Sequence, residues 1–481
     1  MSILTLPNDL YPYQLEDAQK MANSDHNWLN FSEMGIGKTP EALWIAESRK
    51  AKHVLIACPN SLRYEWKRQI ENWIGEGITA ISHNDSYYKL EPIVLACMNG
   101  QRYMVMNYEG FRSKQNVDIL SQLPIDLIIF DEIHKLRNPK TQQVEGSMNK
   151  LTREREGGLW NFLEAHKNVR VIGLSGSPIM NYPNDLYVPL SCIDREKWPR
   201  QMQPYKYFMY EYCSWSEGRY GSYVYGTRQM EKLRSITSPY IIRRTKKEVL
   251  PFLPEKVYRR VQLEMSPEQR KLYKDMEDGI KVLLDSGEPL WAASVLAALT
   301  RLRQINLDPK VLGISCPSAK TEFILDTIES TDEKIVIFSC FESYIYWLHL
   351  LLENKGVKHV MITGKVPPDK RSGIVKEFQE GDAQICLGTV QTMGEGITLT
   401  SASNLILADR WWNEPTNQQA VDRLHRIGQK NSVQIMMPIC TNSVDEVLDA
   451  VLQRKYESSQ EYYQENAVTR DVLTMRGLGG R

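Results

Sequence analysis

The chain has 481 residues, enough for about three average domains or two larger ones with insertions, and its 42% hydrophobic and 25% charged content is that of an ordinary globular protein. No stretch approaches the ~20 apolar residues that span a bilayer, and Met1 to Pro7 lacks a basic region followed by an apolar run, so no membrane association and a cytoplasmic location, or a nuclear one in a eukaryote, are expected. Lys+Arg and Asp+Glu each total 59, and the eight cysteines are scattered without a CxxC pair, which argues against structural zinc and a disulfide framework and leaves any polyanion binding to local patches.

In chain order, the short run Trp28-Leu29-Asn30 leads into Phe31-Ser32-Glu33-Met34-Gly35-Ile36-Gly37-Lys38-Thr39, and Pro40 to Ala46 then reads as a helix. Glycines let backbone N–H groups curl around phosphate oxygens while the helix N-terminus faces their charge. Lys38 then contacts the β- and γ-phosphates of ATP, and the Thr39 hydroxyl ligates Mg²⁺. Ser32 stands where GxxxxGK(S/T) has its first glycine, so a glycine-rich turn without that role is the alternative. Strands are expected at His53–Ala57, Tyr103–Met106, Leu127–Phe130 and Val169–Leu174. The third of these ends in Asp131-Glu132-Ile133-His134, and carboxylates at a strand's C-terminal end sit where α/β proteins place ligands. Asp131 is suited to hold Mg²⁺ through its water shell, and Glu132 to orient and deprotonate an attacking water. The plain alternative is a solvated acidic turn.

Residues about 184–235, crowded with Tyr205, Tyr207, Phe208, Tyr210, Tyr212, Trp215, Tyr220, Tyr223 and Tyr225, break the strand–helix alternation. Their irregular spacing reads first as a small core, with stacking on bases as the alternative. The basic stretch Tyr240 to Pro254, closed by Pro251 and Pro254, reads as a hinge whose Arg243, Arg244, Lys246 and Lys247 either contact a polyanion or are simply solvated. Residues about 266–307 look helical, and strands resume at Lys334–Phe338, His359–Ile362, Ile385–Leu387 and Asn404–Leu407. In Gln418 to Lys430, Arg423 and Arg426 are three residues apart, so on a helix they share a face and can reach one target. Arginines supplied from a separate lobe stabilise a transferring phosphoryl group; an ordinary charged surface helix is the alternative. The tail Gly477 to Arg481 is expected to be disordered. The fold class is thus α/β, two tandem parallel-sheet lobes with helical insertions, divided as 1–245 and 246–481.

The ordered set of motifs resembles the superfamily 2 helicase-like ATPases, and within them the Swi/Snf family of DNA translocases. It is carried by Leu10-Tyr11-Pro12-Tyr13-Gln14, Ser32 to Thr39, Pro59 to Trp66, Asp131 to His134, Leu174 to Asn181, Ile242 to Val249 with Leu253 to Lys256, Ile337 to Ser339, Gly394 to Thr400 and Arg423 to Gln429. Tyr212-Cys213, Gly396 to Ser403 and Trp412-Asn413-Glu414-Pro415 are similar to its annealing-helicase or fork-remodelling branch. The resemblance implies RecA-like lobes, Gln14 reading adenine, and Met34, Gly35, Ile36, Gly37 and Gly396 around the nucleotide. It also implies Gln419, Arg423 and Arg426 acting with Lys38, Asp131 and Glu132. The sequence departs from the family at Ser32, usually Asp, and at Ile133, usually a small residue. The implied partner is double-stranded or branched DNA, tracked by a monomeric motor without full strand separation; protein partners are not indicated. Ser61, Arg63, Asn107, Tyr108, Ser339, Thr363, Gly364 and Thr389 fall at or just after expected strand ends, where they can bond phosphates or equally form turns. An RNA or single-strand helicase and a non-enzymatic DNA-binding scaffold are the competing readings.

Overall fold

Strands with both faces covered read as continuous apolar runs, and the computed structural model shows why they are continuous here. It describes residues 9–82, 90–148, 155–218, 221–285, 292–393 and 397–461. The chain forms two compact units, one of the residues up to Leu250 and from Lys455 onward, the other from Pro251 to Arg454. The strands of the first are β1 Trp28–Asn30, β2 Val54–Cys58, β3 Thr79–Ile81, β4 Tyr103–Asn107 and β5 Leu127–Asp131, then a small pair β6 Ser147–Met148 and β7 Arg155–Glu156. They continue with β8 Arg170–Leu174, a hairpin of β9 Cys213–Gly218 and β10 Gly221–Thr227, and β11 Ile241–Ile242. Seven make one parallel sheet in the order β11-β1-β8-β5-β2-β4-β3. In β2, Leu55 and Ala57 face one core while Val54, Ile56 and Cys58 face the other, so the period-2 alternation is hidden by helices on both sides.

The second unit repeats the plan with β12 Lys256–Leu263, β13 Ile335–Ser339, β14 His359–Ile362, β15 Ile385–Thr389, β16 Asn404–Leu407 and β17 Val433–Cys440. All pair in parallel in the order β12-β17-β16-β13-β15-β14. Val336 and Phe338 pack on one side of this sheet, Ile335 and Ile337 on the other. The stretch expected to be helical forms Pro267–Asp285 and Ala292–Leu307. Residues 184–235 form two helices, Tyr187–Ile193 and Met202–Tyr212, the β9–β10 hairpin and a third helix, Met230–Thr237. The tail 477–481 lies outside the described residues. No described helix is long and apolar enough to cross a membrane.

The hinge reading of residues 240–254 needs correction at its first half. Ile241 and Ile242 pair with Leu29 and Asn30, and Phe31 N and Glu33 N donate to Ile242 O (2.8 Å) and Arg244 O (2.9 Å). Arg244 is taken up by Asp17 at 2.8 Å and Glu16 at 3.0 Å. The basic residue holds the unit together because a half-buried guanidinium finds two carboxylates on the helix Pro12–Asn23.

The departure at Ile133 has a partner. A Cβ on Gly173 would lie 2.7 Å from Ile133 Cδ1 and 2.6 Å from Leu29 Cδ2, so a residue without a side chain in β8 makes room for the larger one after β5. Gly173→Ala is therefore expected to destabilise the first unit by about 1–3 kcal/mol through overpacking, seen as a lower urea midpoint. Adding Ile133→Val, which removes Cδ1, should restore part of the loss; strictly additive effects would refute the explanation.

Candidate nucleotide and polymer site

The loop after β1 turns through left-handed backbone at Gly35 (φ 80°) and Gly37 (φ 90°) and delivers the chain into the helix Lys38–Ser48. Pro40 is tolerated there because first-turn N–H groups have no intrahelical acceptor. The N–H groups of Lys38 and Thr39 thus face outward with the positive end of the helix dipole. Gly37 is required twice over, since a Cβ would also lie 1.9 Å from Gln14 Nε2. Gln14 is 3% exposed and braces the loop: Nε2 donates to Ile36 O (2.8 Å) and Oε1 accepts from Tyr11 N. Tyr13 adds a bond from its hydroxyl to Ile36 O (2.7 Å). Lys38 Nζ donates to Ser32 O (2.8 Å) and Glu33 O (2.9 Å). Met34 covers Gly176 of the loop after β8, where a Cβ would lie 2.4 Å from Met34 Cγ.

Beneath this loop lies a polar network that sequence reading missed. Asn30 Nδ2 donates to Glu41 Oε2 (2.5 Å), and Asn30 Oδ1 accepts from Ser32 N (3.1 Å). Ser32 Oγ accepts from Arg244 N (3.1 Å), which gives the Ser at the atypical position a structural task. Burial, and then the nearby Asp17 carboxylate, push the Glu41 carboxyl up to about 8. The signal was present in the sequence as one carboxylate among Pro40, Ala42, Leu43 and Ile45, all of them buried.

Across the same sheet edge, β5 ends in Asp131. Its Oδ2 accepts from Trp66 Nε1 (2.8 Å), its Oδ1 from Glu132 N (2.9 Å), and its carbonyl from Tyr108 Oη (2.6 Å). Burial and then the neighbouring Glu132 carboxylate push Asp131 up to about 7, against the pull of Trp66 and Lys38. Two crowded carboxylates beside a phosphate-type loop suit a divalent cation. Glu132 stands in left-handed backbone (φ 50°, ψ 48°), a conformation that costs a non-glycine residue about 1–3 kcal/mol. Its Oε2 lies 3.2 Å from His134 Nδ1, which is also 2.9 Å from Ser175 Oγ after β8.

In the second unit, the expectation that Arg423 and Arg426 share a helical face does not hold, because the helix Glu414–Val421 ends before either. Past Val421 the ladder tightens, Arg423 N and Leu424 N donating three residues back to Ala420 O (3.1 Å) and Val421 O (3.1 Å), while Arg423 O accepts from Leu399 N (2.9 Å), Leu424 O from Gln429 Nε2 (3.2 Å), and Gly428 at φ 102° turns the chain away. The two arginines stand on a tight turn instead. Arg426 Nη1 donates to Thr398 Oγ1 (2.8 Å) and Ile397 O (3.3 Å); Arg423 and Gln419 are buried, and Gln419 Nε2 has no partner among the described residues. Gly396 lies outside the described residues.

The residues expected to meet a polymer all fall at C-terminal strand edges, but three are turned inward. Tyr108 is buried, and its hydroxyl is spent on Asp131 O. Arg63 is 1% exposed, with its guanidinium on Ser82 O and, at 3.3 Å, Ser82 Oγ. Ser339 is buried and donates to Asp409 Oδ1 (2.5 Å), since that buried carboxylate also needs Cys340 N and Arg303 as partners. Asn107 is nearly buried, with Nδ2 3.4 Å from Asn60 Oδ1, and Ser61 is half-buried beside it. Thr363 and Thr389 are nearly buried, Thr389 Oγ1 meeting Thr392 Oγ1 at 2.9 Å, while Gly364 is exposed next to them.

Residues 13–311 match the SNF2-related domain and residues 319–428 the Helicase conserved C-terminal domain. The chain belongs to the SNF2-related family. It is 25% identical over 458 residues to the DNA annealing helicase and endonuclease ZRANB3 of Mus musculus, covering 94% of this chain and 40% of the mouse protein. Identity is 26% with the Uncharacterized ATP-dependent helicase MG018 of Mycoplasma genitalium, over 94% of this chain and 42% of that protein. It is 28% with the SWI/SNF-related matrix-associated actin-dependent regulator of chromatin subfamily A-like protein 1 homolog of Caenorhabditis elegans, over 93% and 61%. The chain therefore spans less than two thirds of the length of each. Among solved structures, the Sulfolobus solfataricus SWI2/SNF2 ATPase core in complex with dsDNA is 23% identical, covers 98% of both chains and gives a TM-score of 0.41.

Proposed function

We propose that the chain is an ATP-driven translocase on double-stranded or branched DNA, remodelling forks, recombination intermediates or protein–DNA complexes. The observation that carries this reading is the joint placement, at the C-terminal ends of strands of one parallel sheet, of the glycine-turned loop that leads into Lys38 after β1 and of Asp131 at the end of β5. The names of the relatives, an annealing helicase among them, support the choice of polymer.

In the proposed cycle, the loop N–H groups and Lys38 bind the β- and γ-phosphates, and Lys38 exchanges its two carbonyl partners for phosphate oxygens. Thr39 and Asp131 would hold Mg²⁺, which when bound neutralises charge on the phosphates. Glu132, beside His134, orients water and takes its proton. Arg423 and Arg426 stabilise charge on the transferring phosphoryl group, with Gln419 beside them. Gln14, whose Nε2 is committed to the loop, would read adenine through the second lone pair of its Oε1 or by exchanging a loop contact. Ser61, Asn107, Thr363, Gly364 and Thr389 are the polymer contacts proposed; Arg63, Tyr108 and Ser339 support the strand ends from behind.

The test is ATP turnover with duplex DNA, branched DNA, single-stranded DNA, RNA and no polymer. Weak basal hydrolysis, strong stimulation by duplex or branched DNA and little by RNA are expected. Because net charge is zero, binding rests on a few contacts and stimulation should fall as salt rises to physiological levels. Stimulation by RNA alone would replace the reading with an RNA helicase, and absence of turnover with all polymers would leave a binding scaffold.

A further inference from the structure

The aromatic residues of the first unit's insertion divide into two groups. Tyr205, Phe208 and Tyr212 pack into the core with Tyr187, which meets Tyr205 and Phe208 edge-on at 5.4 and 5.3 Å. Tyr210, Trp215, Tyr207 and Tyr225 lie outside that core cluster. Tyr210 stacks on Trp215 with ring centroids 4.4 Å apart and planes at 28°, and both are half-buried. Tyr207 is 63% and Tyr225 59% exposed. Pairing in the hairpin jumps from Val224–Trp215 to Gly226–Ser214, so Tyr225 is a bulged residue set out of the ladder.

Beside the stack is a cavity of about 380 Å³ whose lining includes Tyr205, Tyr210, Asn181, Asn184, Lys140 and Lys206. This is within the range of small-ligand sites. Both lysines are exposed at its rim. Asp185 also lines the cavity, but it and the neighbouring Glu211 each have partners. Asp185 accepts from Met180 N (3.0 Å) and Asn181 N (2.8 Å) and lies 3.9 Å from Arg137, and Glu211 is paired with Lys232 at 2.5 Å. The rim is therefore locally positive in a chain of zero net charge. Aromatic faces take any base by stacking, carboxamides pair with base edges, and ammonium groups hold phosphate.

We propose that this cavity binds an unpaired nucleobase together with its phosphate, next to the Tyr210–Trp215 stack, as a nucleic-acid site separate from the ATP loop and from the strand-edge contacts. A DNA strand with unpaired bases and a free nucleotide share this chemistry. The site needs no hydrolysis, so its test stands apart from that of the motor.

Nucleotide-free protein is saturated with unlabelled blunt duplex, and binding of a dye-labelled 15-mer of thymidylate is read by fluorescence anisotropy. The 15-mer should still bind. Its affinity should fall about tenfold or more in Tyr210→Ala/Lys206→Ala while duplex affinity stays within about twofold, and Tyr210→Phe, which keeps the ring, should bind as the unchanged protein does. Competition by thymidine monophosphate at equal concentration identifies the free nucleotide as the ligand, and competition by oligonucleotide alone identifies a strand; either supports the assignment. No binding beside saturating duplex, unchanged affinity in the double variant, or an equal loss of duplex affinity overturns it.

Discussion

Glu132→Gln is expected to bind ATP as tightly as the unchanged chain and to lose turnover by about 10²–10⁴-fold, the range of a general base. The amide has the shape of the carboxylate and fits the same buried site, which is 7% exposed, but it cannot accept the proton of water. Lys38→Ala should instead lose both, because its charge-assisted bonds to phosphate have no neutral substitute and because Nζ also ties Ser32 O and Glu33 O. Fluorescent-nucleotide titration and phosphate release separate the two variants. Near-normal turnover in Glu132→Gln would take the general-base role away from it.

Arg426→Ala is expected to keep ATP affinity and reduce kcat by about 10³-fold or more, the effect of removing an arginine that stabilises transition-state charge. The turn that carries it is held by Gln429, whose Nε2 also bonds Ala402 O at 2.8 Å, so the loss should not be a folding defect. Thr398→Ala tests this from the other side: it removes only the hydroxyl that receives Arg426 at 2.8 Å and should cost far less. DNA-stimulated turnover at the normal rate in Arg426→Ala would exclude the residue from the chemistry.

What was legible in the sequence follows from which faces are buried. The strands at 54–58, 103–107, 127–131, 335–339 and 385–389 were visible because nearly every residue in each is buried. Lys256–Leu263 escaped notice although it pairs along its whole length with β17, since an edge strand with Arg259 and Arg260 exposed resembles a linker. The residues proposed for the nucleotide site could be singled out because that chemistry fixes residue type and spacing together. The polymer contacts could not. A strand end tells where the backbone goes, but the Asp131 main-chain carbonyl and the buried Asp409 carboxylate decided that Tyr108 and Ser339 point inward. The motif containing Arg423 misled because local spacing favoured a helix, while contacts with Leu399, far off in sequence, and with Gln429 hold this segment as a turn.

The short strand β11 has a bearing on how this protein can be dissected. Ile241 and Ile242 close the otherwise open edge of β1, and Lys246 N reaches Glu33 Oε2 at 2.9 Å. A fragment cut after Thr237 would contain every residue from Gln14 to Asn181 yet leave β1 with an unpaired margin and strip Ser32, Glu33 and Asp17 of their bonds to Arg244 and Lys246. A soluble fragment of the first unit must therefore run to about Leu250, and one that stops short is expected to aggregate through that margin rather than to give an isolated nucleotide-binding module.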